Sequence, residues 1–197
     1  MIKRIFDIVF SISGLILLSP VLIVIAILIR FDSKGPVLYK QTRVGRNNKD
    51  FKLLKFRTMN PDSDSKGLLT VGGRDPRITK TGYYLRKFKL DEFPQLINVL
   101  YGEMSFVGPR PEVRKYVDLY TEDQKKVLDV SPGITDVASI KYKNENDLLE
   151  KAEDPEKYYI EKIMPDKIKL NLEYINERSF FKDFKVILRT LSAVISE

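Results

Sequence analysis

Neither cysteine nor histidine occurs anywhere in the 197 residues. Without cysteine there is no disulfide, no thiolate nucleophile and no thiolate zinc site. Without histidine the usual general base and the commonest transition-metal ligand are gone as well. Any catalysis must run on Asp, Glu, Lys, Arg, Tyr or Ser, with a hard cation such as Mg²⁺ as helper. A chain free of cysteine agrees with work on the cytoplasmic side. Internal repeats and low-complexity tracts are also missing, and the length is that of one domain with a core of its own.

Charge is plentiful but lopsided. The net charge is +7. Positions 30–90 hold 16 basic and 5 acidic residues, net +11, whereas 91–197 hold 16 and 21, net −5. A block this basic matches phosphate-bearing partners (nucleotide, nucleic acid or anionic lipid headgroup) or simply a solvated basic surface.

Apolar residues are concentrated at the N-terminus, from Ile5 to Ile29. As one straight helix this run would measure about 37 Å, against a hydrocarbon core of roughly 30 Å. Lys3 and Arg4 precede it and Arg30 and Lys34 follow it, so the positive-inside rule gives no orientation. Ser19-Pro20 falls near the middle, where proline removes a backbone hydrogen bond. On the residues alone, three readings stand: a kinked span, a buried soluble helix, or a helix broken at Ser19-Pro20 that enters and leaves by one face. In the last, Ser19 would help to satisfy the freed carbonyls, and halves of about 15 and 10 residues would each be too short to cross.

The remainder reads as α+β, mostly helical with a short β-hairpin. Val37–Tyr39 and Phe51–Phe56 are strand candidates joined by a turn at Arg43–Asn48. Asn60–Thr79, rich in Asp, Ser and Gly, is a long loop of the functional kind. Helices are expected over Tyr83–Phe88, Phe93–Leu100 and Glu112–Val130, and again beyond Pro165. Phe184, Ile187, Leu188, Leu191 and Ile195 make one apolar stripe, suited to a core or to an interfacial amphipathic helix.

Chemistry concentrates at Arg86-Lys87-Phe88-Lys89-Leu90-Asp91-Glu92-Phe93-Pro94. Acidic residues are common at helix N-termini, where they complement the dipole. The same place attracts phosphate, and Arg86, Lys87 and Lys89 would depress the Asp91 pKa while neutralising a pyrophosphate. An ionised Asp91 there could attack phosphorus, with Glu92 holding Mg²⁺ or positioning a group. In Gly108-Pro109-Arg110-Pro111 two prolines fix the backbone around an arginine suited to bidentate phosphate binding, or form a plain rigid turn. Arg43 beside Thr42, and Lys55 with Arg57 beside Thr58, are weaker phosphate candidates.

Taken in order, these segments resemble the monotopic phosphoglycosyl transferases, the bacterial sugar transferase family. The likeness is collinear from Lys3 to Thr135. It takes in Lys3–Asp7, Ser19-Pro20, Gly35-Pro36, Gln41–Gly45, Lys55–Met59, Asp75–Thr79, Leu90–Gln95, Asn98–Ser105, Val107–Pro111 and Pro132–Thr135. The resemblance implies transfer of a sugar-1-phosphate from a UDP-sugar to polyprenyl phosphate with release of UMP. Asp91 would be the nucleophile, Glu92 its catalytic partner, and Mg²⁺ the cofactor at Asp91 and Glu92. Arg86 and Arg110, with Arg43, Arg57, Lys55 and Lys89, would contact substrate phosphates. It also favours the re-entrant anchor, residues 1–31 broken at Ser19-Pro20, under a catalytic domain of residues 32–197. That domain would lie on the cytoplasmic face of the bacterial inner membrane, with no nucleic-acid partner. Two departures stand out: Asp136 occupies a position that is commonly Gly, and Lys89 one that is commonly Ser or Thr.

Two other functions fit the composition: a non-enzymatic surface binder of anionic lipid or nucleic acid, and a glycosyltransferase that moves the sugar alone and releases UDP.

Overall fold

The computed structural model describes residues 2–61, 63 and 75–195, with side chains to residue 193. Most of the Asn60–Thr79 loop expected from the sequence lies outside the described residues. Its ends are tied together, because Asn60 N–H donates to Arg77 O at 2.9 Å.

A single helix, α1 (Ile2–Asp32), carries the whole apolar run and passes through Pro20. Ser19 Oγ donates to Ile16 O at 2.8 Å. Ile16 is the carbonyl that Pro20, lacking an N–H, leaves unpaired, so the neighbouring hydroxyl supplies the missing bond. By length and composition α1 is able to cross a membrane.

Within the fold, one side of α1 packs against the rest of the chain. Asp7, Ser11, Ile25 and Ile29 are buried on one stripe along the full length, at spacings of a helical face. At the N-terminal end, Arg4 donates to Val99 O and Leu100 O at 2.6 and 2.8 Å, and Asp7 accepts from Ser105 Oγ and Phe106 N–H. At the C-terminal end, Ile25 and Ile29 pack with Phe56 and Leu85, and Asp32 accepts from Thr81 N–H at 3.0 Å. Both ends are therefore bound to one body. The opposite face, including Phe10, Ile16, Leu17, Ile23 and Phe31, is exposed.

After α1 come β1 (Leu38–Val44) and β2 (Asp50–Phe56), an antiparallel hairpin pairing Leu38 with Phe56 and Val44 with Asp50. The turn begins at Gly45 rather than Arg43, so Arg43 belongs to the strand. Helix α2 (Lys80–Lys87), capped by the Thr79 side chain, leads into α3 (Gln95–Tyr101). Asn98 on α3 docks the hairpin: it accepts from Leu54 N–H at 2.9 Å and donates to Lys52 O at 2.8 Å. The short strands β3 (Ser105–Val107) and β4 (Gly133–Thr135) pair in parallel and were not expected from the sequence. At three residues each, they are too short to show an alternating pattern.

The helix expected over Glu112–Val130 is instead α4 (Arg114–Val117), α5 (Glu122–Lys125) and a 3₁₀ turn. After Val117 the chain passes through a turn, and Thr121, with an extended backbone, forms a reciprocal capping box with Gln124 that starts a separate helix. Four further helices follow: α6 (Val137–Lys141), α7 (Glu145–Glu150), α8 (Pro155–Tyr158) and, after a π turn at Tyr159–Ile163, α9 (Met164–Asn176). The last, α10 (Phe180–Ile195), leaves Phe184, Leu188 and Leu191 of the predicted stripe exposed and only partly buries Ile187. Its Phe180 meets Phe6 of α1 edge-on at 5.6 Å, which joins the two apolar faces. The architecture is mostly helical with one β-hairpin, as expected.

Candidate active site

Asp91 and Glu92 sit in a 3₁₀ turn, Leu90–Glu92, between α2 and α3. The residue before the turn, Lys89, holds a left-handed backbone with φ of 56°. A side chain in that region costs about 1 kcal/mol, so surrounding packing must hold the turn in place.

Arg110 approaches from the other side of the fold. Gly108 N–H donates to Thr135 O, and Gly133 N–H to Pro109 O, at 3.1 and 3.0 Å. A Cβ on either glycine would collide with backbone of the facing segment, so the two strand ends meet backbone to backbone. Arg43 braces the far side of the loop, donating to Pro111 O and Glu112 Oε1 at 3.1 Å and to Gln41 at 2.7 and 2.9 Å.

The two carboxylates differ sharply. Arg110 holds Glu92 with both terminal nitrogens, and Lys55 Nζ donates to the same carboxylate at 3.2 Å. Burial alone would raise the Glu92 pKa, but Arg110 and Lys55 outweigh it and hold this carboxyl well below its usual range. Asp91 is 8 % exposed and accepts no hydrogen bond from the described residues. Burial raises its pKa, opposed by the charges of Lys55, Arg86 and Arg110. Glu92 is a locked acceptor of two cations, whereas Asp91, among the described residues, has no hydrogen bond and sits in a field of three.

Arg86 lines the same cavity as Arg110, a space of about 250 Å³. Burial lowers the Arg86 pKa, with Asp91 and then Asp75 as the nearest opposing charges. Of the cations expected from the sequence, Lys55, Arg86 and Arg110 are thus gathered around the pair. Arg43 lines the cavity but spends its donors on Gln41, Pro111 and Glu112, so it positions the Arg110 loop. Arg57 is elsewhere: its Nη2 donates to Ser33 O at 2.6 Å and Ser33 Oγ at 3.0 Å, capping the end of α1. Lys89 is exposed, with no described bond to either carboxylate.

A hard divalent cation needs oxygen ligands, and Mg²⁺ is commonly held by one or two carboxylates together with substrate phosphates. Asp91 offers such an oxygen; Glu92 has both of its own engaged. No group of three or more acidic side chains that could hold a metal by itself occurs among the described residues. The site fits a cation brought with, and shared by, a polyphosphate substrate.

Several contributors carry no signal in the sequence. Glu112 accepts from Arg43, Val113 N–H and the Tyr159 hydroxyl. Asn171 and Lys167 reach the cavity from α9, about 60 residues beyond Arg110 in the chain. Asp136, one of the two departures noted above, is buried as the N-cap of α6, accepting from Ser139 N–H at 2.8 Å and Ser139 Oγ at 2.6 Å.

The arrangement is a buried carboxylate among three cations in a fold that also carries a long apolar helix. In comparison with known proteins, the profile described as Bacterial sugar transferase matches residues 1–197. The chain belongs to that family. It is 39 % identical over 195 residues to the UDP-glucose:undecaprenyl-phosphate glucose-1-phosphate transferase of Escherichia coli (strain K12), covering 97 % of this chain and 39 % of that protein. Against the Uncharacterized sugar transferase EpsL of Bacillus subtilis (strain 168), identity is 39 % over 194 residues, 98 % of this chain and 87 % of the other. The UDP-N-acetylgalactosamine-undecaprenyl-phosphate N-acetylgalactosaminephosphotransferase of Aeromonas hydrophila is 34 % identical over 198 residues, 99 % and 44 %. The chain therefore spans about two fifths of the length of the Escherichia coli and Aeromonas relatives.

Proposed function

We propose that this protein transfers a sugar-1-phosphate from a UDP-sugar to a polyprenyl phosphate, releasing UMP and starting a bacterial glycoconjugate. The observation that carries this is Asp91: buried, without a hydrogen bond from the described residues, and surrounded by Lys55, Arg86 and Arg110, two of which line the cavity. The names of the relatives, which act on UDP-sugars and undecaprenyl phosphate, support the same substrates.

Arg86 and Arg110 bind the diphosphate and withdraw its charge. The Asp91 carboxylate attacks the sugar-bearing phosphorus; a new O–P bond forms, the bond to the UMP oxygen breaks, and UMP departs. An oxygen of the polyprenyl phosphate then attacks the same phosphorus, and Asp91 is released as a carboxylate. Glu92 stays ionised throughout and holds Arg110 and Lys55 in place. Mg²⁺, held by Asp91 and diphosphate oxygens, would supply charge neutralisation at the transferred phosphoryl group.

The anchor is read as monotopic, on the cytoplasmic face of the inner membrane. Both ends of α1 bind the same body, and its free face is continuous with that of α10. A crossing that put Arg4 and Asp32 on opposite sides would tear α3 from β2, which Asn98 joins. Ser19-Pro20 marks where the helix would bend to return by one face.

Nucleotide release from a panel of UDP-sugars, with polyprenyl phosphate and Mg²⁺, tests the reading. UMP from wild type and none from Asp91→Asn is expected. UDP release would mean transfer of the sugar alone. No release from any donor would favour a surface-binding module.

A further inference from the structure

One wall of the cavity carries chemistry that the phosphate cluster does not use. Helix α9 presents Met164, Ile168 and Asn171 to it, spaced along one helix face. Asn171 is 5 % exposed, and its Oδ1 is buried without a hydrogen-bond partner. Among the described side chains lining this cavity, it is the one buried polar atom left without a partner. The polar groups nearby are committed: Lys167 Nζ donates to Glu145 at 2.7 Å, the Tyr159 hydroxyl to Glu112, and Arg43 to Gln41 and Glu112. A buried acceptor with no donor destabilises the empty protein, and a ligand that brings the donor relieves it.

Beside the Lys167–Glu145 pair, the part of that wall next to Asn171 is apolar. Leu149, Tyr159, Met164 and Ile168 belong to one packed cluster. A sugar ring turns hydroxyls in several directions and needs a polar partner for each. A flat nitrogen base needs apolar contact on its faces and one polar group at its edge. A carboxamide holds an acceptor and a donor side by side, the complement of an imide edge.

We propose that Asn171 reads the uracil of the donor nucleotide, with Oδ1 accepting from N3–H and Nδ2 donating to an adjacent ring carbonyl. The inference rests on the UDP-sugar reading above and deepens it. It places base recognition on α9 and leaves the phosphates to Arg86 and Arg110.

Direct binding of UMP to the full chain in nanodiscs, followed by calorimetry, needs no turnover. Asn171→Leu, similar in size but without the amide, should weaken UMP by about tenfold or more. Ribose 5-phosphate, which lacks the base, should bind wild type and variant alike. Asn171→Ser is measured beside it, and thermal unfolding confirms that each variant is folded. Equal UMP affinity in wild type and either folded variant overturns the proposal. So does a variant that keeps UMP affinity but changes its preference among sugars, which would move Asn171 to the sugar side. Failure of the transferase reading looks different: UMP binding would still depend on Asn171, but no donor would yield UMP.

Discussion

Arg110 grips Glu92 with both terminal guanidinium nitrogens, and the neighbouring Asp91 accepts no hydrogen bond from the described residues. Two adjacent carboxylates thereby acquire opposite properties. One is ionised and held by two cations; the other is buried, raised in pKa and free of hydrogen bonds from the described residues. Separating two like groups by environment is how a site assigns distinct roles to them.

Asp91→Asn should abolish transfer, a loss of at least about a thousandfold, because an amide cannot replace the attacking oxygen. The variant should melt no lower than wild type, since removing a buried, unbonded charge relieves a cost. Initial rates and a thermal melt check both; substantial residual activity would remove Asp91 from the nucleophile role.

Arg110→Lys should lower activity and stability together. A lysine keeps the charge but loses the two-pronged hold on Glu92. Since a third of the Arg110 side chain remains in water, the stability loss should be about 2 kcal/mol rather than the larger figure for a fully buried pair. Denaturant titration in detergent gives the number. An unchanged midpoint would mean that the pair contributes nothing.

The acid limb of the pH–rate profile should lie above the ordinary Asp value of 3.8, because burial raises Asp91 and only its ionised form attacks. Lys55→Met removes a charge that lowers this pKa, so the limb should move to higher pH. Glu92 has the opposite sign. Its depressed folded pKa contributes stability that is complete above its unfolded value of 4.5 and is lost as pH falls below it. A limb that moves down in Lys55→Met would contradict the assignment.

Asn98→Ala should destabilise by about 3 kcal/mol, because the Leu54 N–H and Lys52 carbonyl of the docked strand both lose their partner. Activity should fall further than stability alone explains, since β2 also carries Lys55. Comparing turnover at a temperature where the variant is fully folded separates the two effects.

Cysteines placed at Ile2 and Lys34, both exposed and in a chain with none of its own, should react with an impermeant reagent from the same side of a vesicle. Labelling from opposite sides would sink the one-face placement of α1.

Much of the site was legible before any coordinates. Asp91 and Glu92 announce themselves as an acidic pair among cations, and Pro109-Arg110-Pro111 as a rigid mount. The break expected at Ser19-Pro20 is not seen: α1 runs unbroken through Pro20, with Ser19 Oγ donating to Ile16 O. Other readings failed for identifiable reasons. Arg57 looked like a phosphate ligand because charge and spacing do not reveal direction; folded, it caps α1 through Ser33. Lys89 counted as a third cation beside the pair, but its left-handed backbone leaves it exposed. The single helix expected over Glu112–Val130 is interrupted after Val117, and a local capping box at Thr121 starts a separate helix.

The sequence by itself determined the available chemistry, the long apolar helix and the acidic pair, since these rest on residue types and short spacings along the chain. Only the tertiary structure decided which carboxylate is free, because Lys55, Arg86 and Arg110 reach the pair from three separate segments. It alone brought Asn171 and Tyr159 to the same cavity, across contacts between residues far apart in the chain. Local patterns encode helices and turns; the field at Asp91 is a sum over long-range neighbours that no local pattern contains.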